Sequence, residues 1–77
     1  MSLRKRWRDL DGATVRRAPD RYGVYELGDE EGTVVDLGVG VLRDELKDAL
    51  AYGTAAKVRW EEAASKEHAE RIADEHR

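Results

Sequence analysis

Between residues 22 and 38 the apolar and polar positions follow a strand rhythm. Tyr22-Gly23-Val24-Tyr25-Glu26-Leu27 is rich in aromatic and β-branched residues and runs into Gly28-Asp29-Glu30-Glu31-Gly32, a polar cluster with glycine at both ends. A second run, Thr33-Val34-Val35-Asp36-Leu37-Gly38, follows at once, so the pair is predicted to form a β-hairpin. After Gly38-Val39-Gly40 the period changes. Val41, Leu42, Leu46, Ala49 and Leu50 fall on one face of a helix and Arg43, Asp44, Lys47 and Asp48 on the other, with a stop near Gly53. Alternation returns in Ala56-Lys57-Val58-Arg59-Trp60-Glu61, a half-buried strand with Ala56, Val58 and Trp60 on its inner side. Ser65 is placed to cap a last helix whose inner face carries Ala69, Ile72, Ala73 and His76.

Upstream of the hairpin the pattern is weaker. The spacing predicts a short helix over Leu3 to Leu10 and an extended piece from Ala13 to Arg17, ending at Pro19. The expected fold class is therefore α+β: a small three-stranded, mainly antiparallel sheet in the order β-β-α-β-α. Residues 1–18 form a basic N-terminal arm or short extra element, and residues 19–77 a single domain. A chain of 77 residues holds one core. Cores this small supply little stability alone, so self-association into a homo-oligomer is expected.

Composition narrows the chemistry. There is no cysteine, hence no thiol nucleophile, zinc–thiolate site or disulfide, and a cytoplasmic location is expected. No run of about 20 apolar residues is present, so no membrane partner is expected. Arg outnumbers Lys and carboxylates abound, the bias expected of a GC-rich genome and a salt-loving, archaeal-type cell. Charge is unevenly laid out: residues 1–21 carry seven cations against three carboxylates, and the remainder seven against fourteen. A basic segment beside an acidic body suits a polyanion partner, or docking on its own or a neighbouring acidic surface.

Arg4-Lys5-Arg6-Trp7-Arg8 mixes cations with an indole ring, a composition that neutralises phosphates and stacks on bases. Arg16 and Arg17 extend the patch if the segment folds back. The competing reading leaves the cations solvated and tucks Trp7 onto the core, and the acidic pI of about 5.4 favours it. Gly38-Val39-Gly40 reads as a tight turn rather than a phosphate cradle, because no Gly-Lys-Ser/Thr follows. His68 and His76, eight residues apart, do not make an i, i+4 metal pair, and Asp29, Glu30 and Glu31 lack calcium-loop spacing. No metal or other cofactor is expected. Trp60 is read as core or interface, and Tyr52 as a candidate dimer contact.

Gly23-Val24-Tyr25 on the first strand and Asp36-Leu37-Gly38 ending the second resemble the paired motifs of the GIY-YIG superfamily, over about residues 19–76. Its members are metal-dependent nucleases, including homing endonucleases and an excinuclease subunit, with a small antiparallel sheet flanked by helices. The resemblance implies that Gly23, Val24 and Tyr25 keep the first motif, while Asp36 replaces the tyrosine of the second and Leu37 and Gly38 keep its remainder. The family's helix arginine falls on Glu45, with Arg43 nearby, and its metal-binding glutamate near Ala73, flanked by Glu70 and Asp74. Of four key positions only Tyr25 survives, and in-line phosphoryl chemistry needs the whole set. Three functions are ranked on this basis: a non-catalytic binding or interaction module on a GIY-YIG-like scaffold, a weak nucleic-acid binder acting through the basic segment, and, well below both, a metal-dependent nuclease.

Overall fold

The hairpin's first strand is also the centre of the sheet. In the computed structural model, which describes residues 3–76, the elements are β1 (Arg8–Asp9), α1 (Gly12–Arg17), β2 (Tyr22–Gly28), β3 (Val34–Val41), α2 (Leu42–Tyr52), β4 (Lys57–Glu62) and α3 (Lys66–His76). The outermost residues of the two expected segments, Met1, Ser2 and Arg77, lie outside the described residues. The strands are ordered β1-β4-β2-β3, and every pairing is antiparallel.

Strand alternation on β2 divides the interior in two. Tyr25 and Leu27 face α1 and α2, joining Leu10, Val15, Ala18, Leu46 and Val58. Val24 faces α3 and packs with Leu3, Ala63, Ala69, Ile72 and Ala73. Apolar side chains thus leave water on both faces of one sheet, which is how a short chain fits two half-cores around a shared strand. Predicted inner positions on the helices are largely buried, except that Leu50 remains 41% exposed.

The α+β class and the antiparallel sheet are as expected, but there are four strands rather than three, and the order gains a strand and a helix at its start. The two N-terminal assignments are also exchanged. Leu3 to Leu10 is not a helix: Leu3 enters the α3-side core and Leu10 the opposite one, so the segment must cross the sheet edge, which it does as β1. Gly12–Arg17 is helical rather than extended, because Asp11 accepts a hydrogen bond from the Thr14 N–H at 2.8 Å and caps its start. The restriction from Pro19 falls only on Ala18, which is extended at φ −64°, ψ 135°.

Gly38-Val39-Gly40 is not a turn either. It lies inside β3, which passes into α2 without a loop. The glycines are needed for a different reason: a Cβ on Gly38 would collide with Cζ and Oη of Tyr25, and one on Gly40 would lie 2.6 Å from Cγ of Glu45. At the hairpin tip Gly32 adopts φ +83°, which favours glycine, and Asp29 accepts from the N–H groups of Glu31 and Thr33, both at 2.9 Å. Asp29 therefore organises the loop rather than merely solvating it.

Candidate functional site

The N-terminal segment is anchored by a buried carboxylate. Glu26 is 2% exposed, accepts from the Leu3 backbone N–H at 2.8 Å and pairs with Arg59 Nε at 2.8 Å. Arg59 also donates to the Lys5 carbonyl at 3.4 Å and lies 4.0 Å over the centre of the Trp7 ring. Trp7 in turn rests on the hairpin, since a Cβ on Gly28 would lie 2.7 Å from its Cη2. Burying a charge is costly unless it is paired and hydrogen-bonded, and Glu26 is both. Further along, β1 pairs Arg8 with Val58 and Asp9 with Lys57, and Lys57 donates to Asp9 across that pair.

These restraints leave the cations at positions 4, 5, 6 and 8 outward and exposed. Lys5, Arg6 and Arg8 meet Trp60 around a cavity of about 350 Å³, with the Arg8 guanidinium 4.9 Å from the Trp60 ring centre. Among the described residues no carboxylate lines it. The two ion pairs among the described residues involve Lys57 and Arg59, so Lys5, Arg6 and Arg8 are without a carboxylate partner there. Arg16 and Arg17, the other basic candidates, lie exposed in the last turn of α1 and do not line the cavity.

Of the two tryptophans, Trp60 lines this surface and Trp7 does not. Trp7 is committed to Gly28 and Arg59, whereas Trp60, read as core or interface, forms the cavity wall. The signal was an antiparallel pairing between residues 8 and 58, which a sequence alone does not announce.

The positions matched to the GIY-YIG motifs occupy another part of the molecule. Tyr25 Oη donates to Glu45 Oε1 at 3.2 Å, and burial first, then the Glu45 charge, pushes its pKa up to about 12. Asp36 bends back on its own strand, its Oδ1 accepting from the Leu37 N–H at 2.8 Å. Arg43 Nε donates to the Ala18 carbonyl at 3.0 Å. Gly23 is buried beside Val24, whose side chain faces α3, and α3 packs on the sheet face opposite Tyr25. The hydroxyl of Tyr25 and the α3 helix that carries Glu70 and Asp74 therefore lie on opposite faces of the sheet, and Arg43 is not among the residues lining the depression that holds Tyr25.

A second, shallower depression of about 420 Å³ includes Tyr25, Asp36, Glu45, Asp48 and Tyr52. At the α2 N-terminus the N–H groups of Leu42 and Arg43 already donate to the carbonyls of Arg21 and Pro19 at 2.8 and 3.2 Å. His68 is structural: its Nδ1 accepts from the Ala64 N–H at 2.9 Å while its own N–H donates to Ser65 Oγ at 3.1 Å. Among the described residues no group of three or more His, Cys, Asp or Glu is placed to hold a metal ion, and no helix is long and apolar enough to cross a membrane.

Fold and surface together define a small antiparallel α+β domain that presents an unneutralised basic cavity walled by one tryptophan. The chain belongs to a family described as a domain of unknown function, DUF7508, whose model matches residues 1–77. No curated protein and no solved structure matches it.

Proposed function

We propose that the protein is a non-catalytic binding module on a GIY-YIG-like scaffold, and that its basic N-terminal surface takes nucleic acid. One observation carries the reading: Lys5, Arg6 and Arg8 converge on a cavity with an aromatic wall, and no carboxylate neutralises them there. Desolvating an ion pair is unnecessary before such cations meet phosphate, and releasing condensed counterions drives the association. The acidic remainder of the chain disfavours non-specific adhesion elsewhere on the surface and so directs a polyanion to this site. The scaffold reading is supported by an antiparallel sheet with helices on both faces and by the motif residues of β2 and β3 lying side by side, Tyr25 opposite Gly38. Absence of catalysis is supported by Tyr25, whose hydroxyl is held protonated and bound to Glu45, by Arg43, whose Nε is committed to the Ala18 carbonyl, and by α3 packing on the opposite face of the sheet.

The test is a salt-titrated binding assay on mixed-sequence DNA and RNA oligonucleotides, with and without magnesium or manganese. Binding should weaken with salt at a log–log slope of about −2 to −3, as three to four phosphate contacts on a single strand imply. Changing Arg4, Lys5, Arg6 and Arg8 together to Ala should abolish it. No binding at low salt would sink the nucleic-acid reading, and metal-dependent cleavage lost in Tyr25→Phe would sink the non-catalytic one.

A further inference from the structure

We infer that Trp60 is a stacking platform for one unpaired base, and hence that the ligand of the basic cavity is single-stranded nucleic acid rather than duplex. The inference rests on the nucleic-acid reading above and adds what the cavity selects. Trp60 is half-buried: strand β4 and the core packed beneath it fix its ring, while its outer side opens on the cavity. A planar apolar surface held rigidly beside unpaired cations fits a nucleobase with its neighbouring phosphates, because every base has a π-face and every nucleotide an anion.

Arg8 now lies over that ring, 4.9 Å from its centre, on an exposed side chain with no carboxylate partner. Such an exposed cation–π contact is weak. An arriving base can take the place of the guanidinium on the ring, and the freed Arg8 then meets a phosphate. Arg6 and Arg8 sit two residues apart, at most about 7 Å along the backbone, so adjacent phosphates of one strand are within reach of both. A duplex offers phosphates to the cations but no base face to the ring. Its bases are hidden in the stack, and its major groove is read by a protruding helix or two-stranded ribbon. The cavity is instead a recess beside a two-residue edge strand, and α1, whose Arg16 and Arg17 could have supplied a reading helix, does not line it.

Tryptophan fluorescence tests this directly. In Trp7→Phe protein Trp60 is the only indole, and its emission reports stacking. An eight-nucleotide oligothymidylate should quench it and bind about ten-fold more tightly than an abasic strand of equal length and charge, and more tightly than an eight-base-pair duplex. Inorganic polyphosphate should compete without quenching. Trp60→Leu, checked for folding by circular dichroism, should equalise the affinities for oligothymidylate and abasic strand, and Trp60→Phe should restore much of the difference. Equal affinity of the Trp7→Phe protein for the two strands, or preference for duplex, overturns the stacking inference and leaves phosphate binding standing. Failure of every oligonucleotide to bind overturns both.

Discussion

Arg59 lies face-on over Trp7 while its Nε holds Glu26, so one side chain of β4 ties the central strand to the N-terminal segment. Glu26→Ala is expected to cost about 3 kcal/mol, since it leaves Arg59 with an unpaired, largely buried charge and the Leu3 N–H without its acceptor. Glu26→Gln retains an accepting oxygen and should cost roughly 1–2 kcal/mol. Both shifts are large beside the roughly 4–12 kcal/mol total for a chain of this length. Urea unfolding followed by circular dichroism measures them, and equal midpoints for wild type and Glu26→Ala would contradict the anchoring role.

The contact of Tyr25 with Gly38 predicts a non-additive pair. Gly38→Ala forces a methyl into the Tyr25 ring and should destabilise by about 1–3 kcal/mol. In a Tyr25→Ala background the same change should be close to neutral, because the obstructing ring is gone. A double-mutant cycle measures the coupling. Equal costs in both backgrounds would mean that Gly38 serves backbone conformation instead.

Alkaline titration has a defined sign. The Tyr25 hydroxyl ionises near 10 in the unfolded chain and at about 12 in the folded one, so between those values the unfolded state binds fewer protons. The contribution of Tyr25 is complete below pH 10 and is lost as pH rises through about 12. Glu45→Gln should bring the folded pKa down only part of the way, since burial is the larger cause and remains. Tyrosinate absorbance against pH, in wild type and Tyr25→Phe, isolates this residue from Tyr22 and Tyr52.

Edge protection at β3 gives a further prediction. Among the described residues β3 pairs only with β2, and Asp36 both occupies the Leu37 N–H and sets a charge on the exposed side of an eight-residue strand that holds no proline, lysine or arginine. Asp36→Val releases that donor beside Val35, already 57% exposed, and should promote edge-to-edge association. Sedimentation velocity over a concentration series should show higher oligomers for the variant than for wild type, and identical profiles would remove the protective role.

Periodicity revealed the elements from Tyr22 onward because each has one inner face: Val24 and Leu27 split between the two sides of β2, Leu42 and Leu46 serve one side of α2, and Ala69, Ile72 and Ala73 one side of α3. It misled at the start, where Leu3, Trp7 and Leu10 have helical spacing yet serve three different neighbours. It also misplaced Gly38 and Gly40, whose purpose is set by side chains arriving from elsewhere in the chain. The basic residues of the cavity were legible as a charge run. Trp60 as their wall was not, since that pairing depends on a strand contact between distant residues.

The cavity is assembled late in the synthesis of the chain. Its cations come from residues 5–8 and its wall from residue 60, and the pairing of β1 with β4, with the Arg59 contacts to Lys5 and Trp7, brings them together. At ribosomal rates the roughly fifty intervening residues take about 3–10 s to be made. For that interval a nascent chain displays its positive charges without a site, and a product ending before β4 would keep the charges and never acquire the pocket.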